Sequence, residues 1–150
     1  MVSTDKSLDA LSPRVAAFLR EFDAVAAGGA TSPDGAERLA DLFLSTFLNV
    51  SLAGASPVGT DLLVRSLPAR ERLFADAGVT GLTLESATET PLDDSHVTLR
   101  TTWRLVHPSA TETTPRVEST FMLVDEGGAL RIAAYINLTD LPALLRAVVD

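Results

Sequence analysis

Six side chains of this 150-residue chain have the type and position to meet a ligand: Asn49, Trp103, Glu118, Thr120, Tyr135 and Asn137. Tyr135 and Asn137 stand two residues apart in an alternating run. On a strand they share a face, and their polar ends can hydrogen-bond one molecule. The same pair fits a plainer arrangement, in which Tyr135 anchors packing and Asn137 settles the strand end. Trp103 shares its face with Val97, Leu99 and Leu105 and serves equally as core or as pocket wall. Glu118 is the carboxylate of the set. Facing a cavity, its pKa would be raised by burial and it would become a usable acid or base. Facing water, it would pair with Arg104 or Arg116.

Other chemistries lack their residues. Without cysteine there is no disulfide, thiolate metal site or thiol nucleophile. His96 follows Asp93 and Asp94, but Asp-Asp-Ser is ordinary turn chemistry, and His107 before Pro108 reads as a solvated strand end. No Gly-x-Ser-x-Gly, phosphate loop or dinucleotide fingerprint occurs, and Gly28-Gly29 and Gly127-Gly128 read as turns. Neither metal nor cofactor is expected. The formal charge is −8, with one lysine, Lys6, and scattered arginines. Such a surface repels phosphate backbones, so nucleic acid and anionic membrane are not expected partners. Met1 to Lys6 are polar with no apolar stretch behind them, and no apolar run approaches the roughly 20 residues that span a bilayer. A soluble, cytoplasmic chain is expected. The sequons Asn49-Val50-Ser51 and Asn137-Leu138-Thr139 carry no meaning without export.

The elements that must position these residues fall into two regimes meeting near Gly78. Before it, apolar residues recur at helical spacing. Ser12 can cap a first helix with Pro13 at its first position, and Val15, Phe18, Leu19, Phe22, Val25 and Ala26 form its buried stripe. Gly28 and Gly29 end it. A Thr31–Gly35 turn leads to a second helix carrying Leu39, Leu42 and Phe43 inward, with Glu37, Arg38 and Asp41 outward. Phe47 to Leu52 reads as a short strand and Gly54 to Gly59 as a loop. Thr60 and Asp61 can cap a third helix that Pro68 breaks or kinks and Gly78 stops. After Gly78 the period is two. Val97, Leu99, Thr101, Trp103 and Leu105 share one face, and Thr98, Arg100, Thr102 and Arg104 the other. Arg116 to Val124 forms the next strand. Glu126-Gly127-Gly128 signals a hairpin into a strand alternating Leu130, Ile132, Ala134, Ile136 and Leu138. Thr139 or Asp140 caps a closing helix.

Helices first and hairpin-linked strands afterwards define an α+β domain, in which an antiparallel sheet is covered by the early helices. Three stretches give it a family likeness: the amphipathic helix from Pro13 to Ala27; the sheet entry Gly78-Val79-Thr80-Gly81-Leu82 with its Glu89-Thr90-Pro91-Leu92 turn; and Glu126 to Ile136. Over these the chain resembles the nuclear transport factor 2-like superfamily, in its SnoaL-like (polyketide-cyclase-like) branch. Members often have Gly-x-Trp-x-Ile in the last stretch, and here Gly128 and Ile132 flank Leu130.

The resemblance implies a cone-shaped, curved antiparallel sheet wrapped around N-terminal helices, a cystatin-like architecture, as one domain over residues 1–150 with an ordered core of about 11–149. The superfamily hosts isomerases, dehydratases, cyclases and epoxide hydrolases alongside non-catalytic binding and dimerisation modules, so fold does not give function. Members similar to ketosteroid isomerase use a carboxylate base near the first strand and a tyrosine or protonated aspartate as oxyanion donor. Here the first strand offers Asn49 and Ser51, and the first helix has Phe18 and Phe22 where such a tyrosine lies. Epoxide-hydrolysing members use an Asp-Arg-Asp set, whereas Arg100 and Arg104 stand here without an aspartate between Val97 and Val106. No catalytic residue is assigned.

The leading expectation is a small-molecule-binding domain with an apolar pocket between helices and sheet. The alternatives are an isomerase, cyclase or dehydratase acting on an apolar cyclic substrate, and a non-catalytic dimerisation module. Phe18, Leu19, Phe22, Leu39, Leu42, Phe43, Phe74 and Ile132 should be nearly buried. A homodimer through the sheet face bearing Thr98, Arg100, Thr102 and Arg104 is expected. Tyr135 and Asn137 face either the pocket or, under strict alternation, the outer side.

Overall fold

The computed structural model describes residues 10–28 and 33–149. The polar stretch Met1–Lys6, the helix stop at Gly29 and the Thr31-Ser32 part of the expected turn lie outside them. The element order is α1 (Pro13–Gly28), α2 (Pro33–Ala40), β1 (Phe43–Ser51), β2 (Gly54–Gly59), α3 (Thr60–Asp76), β3 (Gly81–Pro91), β4 (His96–Val106), β5 (Val117–Glu126), β6 (Ala129–Asn137) and α4 (Leu141–Val149). The six strands make one curved, unclosed sheet in the order β2-β1-β6-β5-β4-β3. All neighbours are antiparallel except β1 and β6, which run parallel, so the sheet is mixed rather than purely antiparallel.

The helices cover the concave face. Phe18 and Phe22 of α1 meet the ring of Phe121 on β5 edge-on, with centroids 6.1 and 5.0 Å away. Such tilted contacts add to the area the rings bury. Val15, Leu19 and Val25 complete the stripe, whereas Ala26 is exposed. Val97, Leu99, Thr101, Trp103 and Leu105 of β4 are all buried beneath it, as their alternation requires.

Several local expectations are corrected. The Ser12 hydroxyl does not cap α1. It is buried without a hydrogen-bond partner, while the Ser12 N–H donates to Glu89 Oε1 at 2.7 Å and so ties the helix start to β3. Pro33, Asp34 and Gly35 form the first turn of α2, where proline's missing N–H costs nothing. Leu42 and Phe43 are not helical: α2 ends at Ala40, and β1 begins at Phe43 because the Leu42 carbonyl accepts from the Ile132 N–H. The Gly54–Gly59 segment is an edge strand, not a loop, with Pro57 paired to Leu48. An edge position tolerates proline, whose missing N–H can face solvent. The third helix runs through Pro68 unbroken and starts after Gly59 with no side-chain cap, so neither Thr60 nor Asp61 plays that part. It stops at Gly78, which takes φ +76°. Asp140 does cap α4, accepting from the Ala143 N–H at 3.1 Å.

Of the expected core, Phe18, Leu19, Leu39, Phe43 and Ile132 are buried, but Phe22, Leu42 and Phe74 are only partly so. Leu42 sits in a turn. Phe22 and Phe74 border a cavity.

Candidate functional site

That cavity, of about 280 Å³, lies between the helices and the concave sheet. α1 contributes Phe22, Asp23 and Ala26; α3 contributes Leu63, Leu67, Arg70, Glu71 and Phe74; the sheet contributes Phe43, Trp103, Ser119, Phe121 and Tyr135. Six aromatic side chains therefore line one cavity. A more open groove of about 430 Å³ near β1 is lined by Asp41, Thr60, Glu126 and Arg131. Its guanidinium is already committed, donating to the Asp41 carbonyl and lying 3.4 Å from Glu126. The enclosed aromatic cavity is the better candidate.

A bulge decides which residues reach it. Between β5 and β6, Leu123 pairs with Ile132 but Met122 with Ala134, leaving Ala133 as an extra residue. One extra residue reverses which side chains face inward. Leu130 and Ile132 point inward before the bulge, and Tyr135 does so after it. Its ring stands 5.3 Å from Phe121 and 6.4 Å from Phe43. Ile136, opposite Thr120, is turned outward, so the expected single apolar face of β6 is split at Ala133.

Of the six proposed ligand contacts, Trp103 and Tyr135 line the cavity together. The Trp103 indole N–H is already spent on Thr101 Oγ1 at 2.8 Å, so its contribution is an apolar wall. No described residue hydrogen-bonds the Tyr135 hydroxyl. The other four do not line this cavity. Asn137 Oδ1 accepts from the Thr139 N–H at 3.2 Å and finishes the strand. Asn49 lies opposite Tyr135 in the β1–β6 register but outside the lining. Glu118 and Thr120 alternate with the buried Ser119 and Phe121 and so belong to the convex face. Glu118 pairs there with Arg100 at 2.8 Å, rather than with Arg104 or Arg116. Those two arginines instead meet Glu85 and Glu112.

Sequence reasoning missed Ser119 and Asp23. Ser119 sat between the candidates Glu118 and Thr120, on the opposite face. Asp23 directly follows Phe22 and lies four residues after Leu19, which sets a carboxylate at the border of a buried stripe. That is the signal which could have found it. Burial pushes the Asp23 carboxyl above its ordinary pKa, and no described cation or donor offsets this. His96 takes part in the turn: its Nδ1 lies 2.8 Å from Asp93 Oδ1, which also accepts from the Ser95 N–H. Among the described residues no group of three or more His, Asp or Glu side chains could hold a metal ion, and no helix is long and apolar enough to cross a membrane.

No family model matches the chain, and neither does any curated protein. Solved structures do. An NTF-2-like protein of unknown function from Shewanella oneidensis superposes with a TM-score of 0.59 at 12% identity, covering 84% of this chain and 97% of that one. A protein of unknown function with a cystatin-like fold from Nostoc punctiforme gives 0.60 at 12% identity, over 85% and 89% of the two chains. Aln2 from a Streptomyces species gives 0.59 at 18% identity, over 91% and 98%. The chain thus has the nuclear transport factor 2-like, or cystatin-like, α+β cone fold.

Proposed function

We propose that this chain is a small-molecule-binding domain of the SnoaL-like branch, working in the cytoplasm, whose ligand occupies the cavity between α1, α3 and the sheet. The observation that supports it is an aromatic-walled cavity into which an unengaged hydroxyl, that of Tyr135, is presented. Ligand sites typically combine such apolar walls with a few placed polar groups. At about 280 Å³ the cavity sits at the small end of the roughly 300–1,000 Å³ usual for such sites, which favours one or two fused rings. Trp103 is the only tryptophan, so its fluorescence reports on this cavity alone. Titration with naphthol is expected to quench Trp103 saturably. Ala26→Phe, which fills the cavity, should weaken binding at least tenfold. Quenching that never saturates, or that ignores the filled cavity, removes the reading and leaves a dimerisation module.

A second reading, an isomerase, cyclase or dehydratase, is favoured by the pairing of Asp23 with Tyr135 in one cavity. A partly buried carboxyl whose pKa is raised by burial holds and gives up a proton more readily as an acid or base than a solvated one, and a phenol can steady charge on a ligand oxygen. As a partner we propose a second copy of the chain, docked on the convex face. There Leu48, Ala134 and Met122 form one lateral row, and Val50, Ile136 and Thr120 the next. Leu48 is 41% exposed. Arg100 and Glu118 border these rows with opposite charges able to pair across a two-fold axis.

A further inference from the structure

We propose that the ligand of this cavity is an apolar amine, held as its ammonium with Asp23 as counter-ion. The inference rests on the binding reading, not on the catalytic one. Three charged side chains line the cavity: Asp23 from α1, and Arg70 and Glu71 from α3. The two α3 neighbours sum to zero, and the Arg70 guanidinium already lies over the Phe74 ring, 4.9 Å from its centroid. α2 presents Leu39, and the sheet presents rings and hydroxyls. The cavity's net charge is therefore the single negative charge of Asp23.

Among the described residues no cation offsets that charge, and its half-buried site penalises it, as the upward displacement of its pKa reflects. A neutral ligand that displaced water from the cavity would deepen the penalty, and an anionic ligand would add repulsion. A cation cancels both. The wall is also suited to one, because six aromatic side chains line the space and an ammonium is drawn to the negative face of a ring. The ligand body is apolar because the remaining wall is.

Calorimetric titration with three probes of one shape separates the classes: naphthylmethylamine, naphthylmethanol and naphthoic acid. The amine is expected to bind the wild-type protein at least tenfold more tightly than the alcohol, and the acid most weakly. Asp23→Asn, which keeps the shape and removes the charge, should erase the preference for the amine, weakening the amine while the alcohol binds more tightly than to the wild type because no unpaired charge is left to desolvate. Equal binding of amine and alcohol to the wild type overturns the ammonium inference but leaves the binding reading standing. So does an amine preference that survives in Asp23→Asn. Failure of all three probes to bind overturns both.

Discussion

Glu21 and Asp23 stand two residues apart on α1 and are driven in opposite directions. The Arg38 guanidinium, hydrogen-bonded to Glu21, holds that carboxyl below its ordinary pKa, while burial alone lifts Asp23 above the usual 3.8. A raised carboxyl pKa means that the folded chain binds the proton more tightly than the unfolded one. Stability then falls as pH rises from below 3.8 through the folded pKa, and stays lowered above it. Asp23→Asn is therefore expected to be more stable than wild type near neutral pH, with the gain vanishing below the ordinary carboxylate range. Urea midpoints of both proteins at about pH 7 and about pH 3 check the sign. A charge that lowers stability at the wall of a cavity is the pattern expected of a residue retained for function. Little of this was legible in the residues themselves. Asp23 received no reading from the sequence, and it is the cavity it lines with Phe22 and the sheet that singles it out. Tyr135 and Trp103 were legible, because an aromatic in an alternating run must face one side or the other.

At the scale of elements, the regular strands were easy to read and the irregular ones were not. β4 alternates without interruption, and its five inward residues are all buried. β6 contains the Ala133 bulge, which no residue type announces, and it inverts the second half of the strand. β2 was hidden by its Gly-Ala-Ser-Pro composition, which resembles a loop until β1 supplies a partner. The helix stripe of α1 was correct in register, but Phe22 is only partly buried at the cavity, whereas Phe121, which also lines it, is fully buried. Phe121→Ala should cost about 3–5 kcal/mol, the usual range for a fully buried aromatic. Phe22→Ala should cost clearly less, because its ring is only partly buried beside a cavity that the truncation widens. Chemical denaturation of the two variants side by side measures the difference; equal losses would mean that the cavity is closed in solution.

At the scale of the molecule, the convex sheet face carries the prediction of association. Light scattering at micromolar protein in moderate salt should give the mass of a dimer. Leu48→Glu combined with Ile136→Glu sets carboxylates in the apolar rows and should give a monomer with its fold intact by circular dichroism. A monomeric wild type removes the proposal. The fold class, the helix-on-sheet layering and the hairpin order were all readable from the change of period at Gly78. The parallel junction was not, since nothing local in Phe43 to Ser51 or in Ala129 to Asn137 says that the two segments meet. That junction governs how the chain comes into being. Phe43 pairs with Ile132, so a central seam of the sheet joins segments far apart in sequence. Long-range and parallel pairings are slow to form, because the intervening loop must close before any contact repays it. During synthesis the β1–β2 hairpin waits without its inner neighbour until β6 has left the ribosome, and the apolar rows on both its faces stay open meanwhile. That interval is when a nascent chain of this kind is most exposed to aggregation and gains most from a chaperone.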